Sequence, residues 1–263
     1  MRVGLIGAGN MARALARGWG DPVLCSDHGS GRAQALVDEL GGEALASNLE
    51  VAERADLVVL CHKPAQLKLV AGEIAATAKA VVSVLGATTH TMVRSAYAGI
   101  PVFRAMPNTA VEVRRGVICL AEPESHVHPA PSVPDAFVAL ERELIALFER
   151  IATVIKLPER LIDPATAVMG VGPAYQALLA EAQVDAAVRR GLSPVLAGRL
   201  VTATMTGTAA LLEHRDLDTL RVRREVTSPG GSTARGLAAL EAAGVRGAFH
   251  EAIDAVLDGG ARR

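Results

Sequence analysis

The sequence predicts an α/β fold in two parts, a sheet with helices on both faces followed by an all-helical region, and three observations carry that expectation. Short apolar runs alternate with helix-periodic segments through the first part, as successive βαβ units do. The alternation stops near Pro158. A turn of small residues, Gly7-Ala8-Gly9-Asn10-Met11-Ala12, follows the first apolar run directly.

Residues 2–6, 23–26, 56–61, 80–85, 102–105, 116–120 and 153–157 read as strands, with helices at 11–18, 33–40 and 66–74 between the early ones. The runs at 56–61 and 80–85 are apolar almost throughout, the pattern of strands covered on both faces, so the sheet is expected to be mainly parallel. Residues 122–135 hold four prolines with His126 and His128 and read as an irregular loop before a helix at 137–150. Beyond 158, Ala- and Leu-rich stretches at 174–190, 194–213, 234–243 and 247–257 carry helical spacing, as in Leu178, Ala182, Asp185, Val188 and Leu192. The expected domains are therefore 1–157 and 158–263.

A chain of 263 residues can bury two modest cores without metals or disulfides. With a net charge of −1 and 3% aromatic residues, it offers neither a basic face nor base-stacking rings, so nucleic acid is not an expected partner. No run of about 18 or more uncharged apolar residues stands out, and no membrane span is expected. Met1-Arg2 leads straight into the first strand without a signal-peptide pattern, which points to the cytoplasm. Cys25, Cys61 and Cys119 form no C-x-x-C and are expected to be buried free thiols. His126-x-His128 lacks a third ligand in register, so no metal is expected.

The glycine turn lies between a strand and a helix, which is the setting of a G-x-G-x-x-G/A fingerprint. Gly7 permits the tight turn, Gly9 lets the backbone approach a pyrophosphate, and Ala12 allows close helix–strand packing. Ala8, Asn10 and Met11 complete the turn into a helix whose free N–H groups favour an anion. The first domain is thus expected to be a Rossmann-type dinucleotide-binding domain, with NADH or NADPH as cofactor. Asp27 ends the second strand 20 residues after Gly7, where a carboxylate bonds a ribose 2′-OH and repels a 2′-phosphate. Arg32, beyond the loop His28-Gly29-Ser30-Gly31, would meet a 2′-phosphate instead. Asp27 favours NADH, and dual use stays open.

Further along, three stretches resemble one family, the pyrroline-5-carboxylate reductases. Val102-Phe103-Arg104-Ala105-Met106-Pro107-Asn108-Thr109 is similar to its R-x-M-P-N-T segment. Gly172-Pro173-Ala174-Tyr175, with Glu181-Ala182 and Asp185 to Leu192 behind it, resembles the opening of its long dimer helix. Val226-Thr227-Ser228-Pro229-Gly230-Gly231-Ser232-Thr233 resembles its V-T-S-P-G-G-x-T signature. The resemblance implies reduction of pyrroline-5-carboxylate to L-proline by hydride transfer from NADH or NADPH, in a homodimer or ring of dimers joined through an all-helical dimerisation domain. It implies that Met106, Pro107 and Asn108 lie beside the nicotinamide, Asn48 near the cofactor ribose, and Lys63-Pro64 along the dinucleotide. It also implies a substrate site at Ser228, Gly230, Gly231, Ser232 and Thr233, with Thr233 as the catalytic hydroxyl on the ring nitrogen.

Read locally, the 228–233 loop is either an anion site at a helix N-terminus or an ordinary cap for a helix beginning at Ala234. The sequence departs from the family at Met169-Gly170-Val171-Gly172, where two serines are replaced, at Ala110 and at Leu85-Gly86-Ala87. A related cyclic imine, another Rossmann-plus-helices dehydrogenase, or a dinucleotide sensor without turnover remain alternatives at this level.

Overall fold

The computed structural model describes residues 1–122 and 135–260. The segment 123–134, with His126 and His128, lies outside the described residues. Strands β1 (Val3–Ile6), β2 (Val23–Ser26), β3 (Gly42–Ala44), β4 (Leu57–Leu60), β5 (Val81–Ser83), β6 (Val102–Pro107), β7 (Gly116–Glu122) and β8 (Ala152–Pro158) form one sheet. Their order is β3-β2-β1-β4-β5-β6-β7-β8. All neighbours are parallel except β6 and β7.

The period of two along each strand sends side chains into two cores. On one face Val3, Leu5, Val59 and Val82 pack with Leu15 of α1 (Asn10–Trp19), Leu36 of α2 (Arg32–Leu40) and, later in the chain, Leu144 and Phe148. On the other, Ile6, Val58, Leu60 and Val81 meet Val51 of α3 (Asn48–Arg54), Val70 and Ile74 of α4 (Leu67–Ile74) and Val93 of α5 (His90–Ala96). Leu144 and Phe148 belong to α6 (Asp135–Glu149). Each such fully buried side chain contributes about 1.5–3 kcal/mol.

Several elements were not anticipated. Strand β3 is three residues long, exposed or half-buried, and paired only along β2. Helices α3 and α5 have seven residues each and start on Ser47 and Thr89, whose hydroxyls accept from Glu50 N (3.1 Å) and Met92 N (3.2 Å). Such caps satisfy an orphan donor of the first turn.

The chain divides into two compact units, Met1–Pro173 and Ala174–Arg263. Residues 159–173, expected to open the helical half, pack with the sheet unit. There α7 (Ile162–Ala165) runs into a π-helical turn, Thr166–Gly170, and Ile162 joins a small core with Met106, Cys119 and Ala121. The second unit holds α8 (Gly172–Val188, which begins just before it), α9 (Pro194–His214), α10 (Thr219–Glu225), α11 (Ser232–Ala242) and α12 (Val245–Gly260). No strand occurs among its described residues. Tyr175 of α8 packs edge-on against Phe249 of α12, with ring centroids 6.3 Å apart. Helix α8 buries no residue and α9 only Ala197. Contrary to the expectation from sequence, α9 is long and apolar enough, by length and composition, to cross a membrane.

Candidate functional site

The carboxyl ends of β1, β2, β4, β5 and β6 lie along one edge, and the strand order reverses between β1 and β4. Ligands bind open α/β sheets at such a switch point. Gly7 follows β1 there with φ +96°, and a Cβ on it would stand 2.9 Å from the Cys61 carbonyl and from His62 N. Only glycine fits that approach. Gly9 is the N-cap of α1 and offers no side chain to the helix, so the first-turn N–H groups keep their capacity for an anion. A Cβ on Gly9 would meet no atom within 4 Å, which leaves the turn open to a ligand's approach. Ala8 and Ala12 are buried, Met11 is half-buried and Asn10 is exposed, its Oδ1 accepting from Arg13 Nη2 at 2.7 Å. These features fit a pyrophosphate.

At the end of β2, Asp27 is committed to α2. Its Oδ2 accepts from Ser30 Oγ (2.8 Å), Arg32 N (2.7 Å) and Ala33 N (2.9 Å), and its Oδ1 from Gly29 N (2.8 Å). Partial burial pushes the carboxyl upward, but the bonds from Ala33, Ser30, Arg32 and Gly29 together outweigh it and hold Asp27 below the usual carboxylate range. Three of the four bonds converge on Oδ2, so Oδ1 retains acceptor capacity for a ribose hydroxyl. Asn48, the first residue of α3, accepts from Ser26 Oγ (2.7 Å) and donates to Glu73 Oε2 (2.6 Å). Asp27, His28, Asn48 and Glu73 share one cleft of about 380 Å³.

Lys63 and Pro64 are exposed just beyond β4. Their turn is held by His62, whose Nδ1–H donates to Lys63 O (2.9 Å), and by Gln66, which accepts from Lys63 N (3.2 Å) and donates to His28 Nε2 (2.9 Å). Burial pulls the His62 imidazole below its ordinary range, against the opposing bond to Lys63. Met106 and Pro107 end β6 on the ligand edge and Asn108 follows them, yet all three are buried. The Met106 side chain packs with Cys119 and Ile162. The Asn108 amide accepts from Val117 N (3.2 Å) and donates to Met169 O (3.1 Å), so its side chain clamps the π turn. Only 8% of Met106 and 7% of Asn108 is exposed.

The second unit carries the other half of the expected chemistry. Ser228 and Gly230 are exposed, Gly230 has φ +64°, and Arg235 Nη1 donates to Gly230 O (2.7 Å). Helix α11 starts at Ser232 rather than at Ala234, with Gly231 as N-cap and no capping side chain. Thr233 is therefore half-buried inside the first turn and is not the cap. Uncapped N–H groups with hydroxyls at Ser228, Ser232 and Thr233 suit a carboxylate.

Sequence reasoning missed Ser26, His62, Gln66 and Glu73. Gln66 alone had a local signal, its place three residues after Lys63 in a turn with Pro64. All three thiols are free and raised by burial, Cys25 to about 12 with a further push from Asp27, and Cys61 is only half-buried. Among the described residues no His, Cys, Asp and Glu cluster could hold a metal.

A glycine turn at the switch point of a parallel sheet, followed by a helical unit, defines a dinucleotide-binding oxidoreductase fold. Comparison with known proteins makes the assignment specific. Residues 2–86 match the family described as NADP oxidoreductase, coenzyme F420-dependent, and residues 159–262 match pyrroline-5-carboxylate reductase dimerisation. Pyrroline-5-carboxylate reductase of Mycobacterium tuberculosis is 36% identical, over 97% of this chain and 93% of that one. The solved structure of a pyrroline-5-carboxylate reductase from Coxiella burnetii is 27% identical, covers 98% of this chain and 97% of its own, and superposes with a TM-score of 0.82. The Plasmodium falciparum reductase, solved with NADP bound, shares the fold at 24% identity and a TM-score of 0.84, over 99% of this chain and 97% of that one. The chain belongs to the pyrroline-5-carboxylate reductase family.

Proposed function

We propose that this protein reduces 1-pyrroline-5-carboxylate to L-proline with hydride from NADH or NADPH. The observation that carries the reading is the 228–233 loop, which keeps the family signature and opens an uncapped helix in a chain 36% identical to a reductase of that name. A nicotinamide cofactor, when bound, would supply the hydride for the imine carbon, and the ring nitrogen would take its proton from solvent.

The residues of the chain supply placement. Gly7, Ala8, Gly9, Asn10 and Met11 hold the pyrophosphate, and Asp27, Asn48, Lys63 and Pro64 flank the adenosine end. Met106, Pro107 and Asn108 form the wall behind the nicotinamide, Asn108 by fixing the 166–170 turn. Ser228, Gly230, Gly231 and Ser232 receive the substrate carboxylate, and the Thr233 hydroxyl bonds the ring nitrogen. Positioning and polarisation are sufficient for such a step, without a covalent nucleophile or a metal.

The same reading divides labour between residues 1–157 and 158–263, and places the protein in the cytoplasm as a homodimer or ring of dimers. Loss of absorbance at 340 nm on adding pyrroline-5-carboxylate to protein and NADH or NADPH tests the activity. Tight cofactor binding with no oxidation by this or related cyclic imines would refute it and leave a dinucleotide sensor.

A further inference from the structure

Glu73 belongs to no motif in the sequence, yet it lines the cleft of about 380 Å³ beside Asp27, His28 and Asn48. It comes from the last turn of α4, and a continuous chain of hydrogen bonds ties it to the end of β2. Its Oε2 accepts from Asn48 Nδ2 at 2.6 Å, Asn48 Oδ1 accepts from Ser26 Oγ at 2.7 Å, and Ser26 precedes Asp27. The relay holds a second carboxylate on the wall of the cleft.

The first carboxylate already fills the anion-binding capacity nearby. Backbone N–H groups of Gly29, Arg32 and Ala33 all point at Asp27, so the start of α2 is neutralised by the protein's own anion. Arg32 and Lys63 are exposed and do not line the cleft. His28 does line it, but its Nε2 accepts from Gln66 Nε2. A ribose diol entering the cleft therefore finds two acceptors, whereas a 2′-phosphate finds two negative charges.

Resting on the dinucleotide-reductase reading above, we propose that Glu73 is a specificity-determining residue that selects NADH over NADPH, with Asn48 as its positioning residue. A cleft of this size is no wider than about one Debye length, ~8–10 Å at moderate ionic strength. Across that span a dianionic phosphate and one carboxylate repel, at high effective dielectric, by enough to change affinity about fivefold at low salt, which screening cuts to about twofold at moderate ionic strength.

Glu73→Gln keeps the shape and an acceptor for Asn48 while removing the charge. NADH and NADPH are titrated separately by nicotinamide fluorescence into the wild-type protein, Glu73→Gln and the remote surface control Glu149→Gln, at low and high salt. The Kd ratio of NADPH to NADH is expected to fall about fivefold at low salt in Glu73→Gln, with NADH affinity held within about twofold and the control unchanged. Salt is expected to compress the wild-type ratio more than that of the variant. An unchanged ratio, or equal weakening of both cofactors, overturns the proposal, since Glu73 would then be inert or would serve only the shared adenosine. Failure of the wild-type protein to bind either cofactor sinks the functional reading itself, a separate outcome.

Discussion

Thr233 and Asp27 show how one side chain can be read two ways until its neighbours are known. A threonine after Gly-Gly-Ser is as good a helix cap as a catalytic hydroxyl, but α11 begins at Ser232 with Gly231 as its cap, which takes the capping role away. As hydride arrives at the imine, the ring nitrogen becomes a better acceptor, so a hydroxyl there aids the transition state more than the ground state. Thr233→Ala is expected to lower kcat by about 10–100-fold, ~1.4–3 kcal/mol, with a smaller rise in KM and an unchanged melting temperature. Steady-state kinetics and a thermal melt on the same variant check both halves. Asp27 has the reverse character, since its carboxylate serves α2 whatever else it does. Its depressed pKa means that its stabilisation is complete above the ordinary value of 3.8 and is lost as the pH falls through the lower folded value. Asp27→Asn is expected to cost about 1 kcal/mol at pH 7, a gap that closes in denaturant melts as the pH drops below about 4.

Among the elements, β6 is tied to the segment after β8 by a buried ion pair. Arg104, 2% exposed, donates to Glu159 Oε1 at 2.6 Å and to Asp163 Oδ1 at 3.1 Å, and Glu159 also accepts from His90 N at 2.9 Å. Removing one partner strands the other charge, so Arg104→Met is expected to lose about 3–5 kcal/mol in urea unfolding. The double variant Arg104→Met with Glu159→Leu is expected to recover part of it, because the stranded charge is gone while His90 N loses its acceptor. This clasp is 55 residues apart in sequence and had no local signature. The strands and the Gly7 turn were legible because their signals are local: period, apolarity, and glycine where φ is positive. Strand β3 escaped because Gly42-Glu43-Ala44 has neither apolar alternation nor length, and exists by pairing with β2. Asn108 is placed beside a cofactor by its motif, but its hydrogen bonds to Val117 and Met169, the latter 61 residues away, had no local signature. Glu73 gains meaning only when α3 and α4 lie side by side.

At the scale of the whole molecule, the second unit exposes more apolar surface than a lone helical domain keeps in water. Leu178, Val195, Leu200 and Leu240 are 64%, 75%, 50% and 56% exposed, and α8, whose polar residues Gln176, Glu181, Gln183 and Asp185 do not gather on one face, buries no residue. Exposed apolar side chains in such number mark a surface that is covered in the working state. Two covers fit α9: a membrane, since its length and composition suffice to cross one, or a second copy of the chain, since residues 159–262 match a dimerisation family. The match of residues 159–262 to a dimerisation family favours the second, and Arg199 within α9 adds to it, because a charge inside a bilayer costs about 2.5–3.5 kcal/mol while a helix pair can leave it at the rim. The chain is thus expected to sediment in detergent-free buffer as a dimer of its 27.3 kDa protomer, or a multiple of it, with no monomer at micromolar concentration. A charge placed on the exposed side, Leu200→Glu, is expected to drive the protein toward monomer or aggregate while leaving the near-ultraviolet signal of the sheet-unit residue Trp19 in place. A monodisperse monomer that keeps its fold would remove the dimer, and a demand for detergent would restore the membrane.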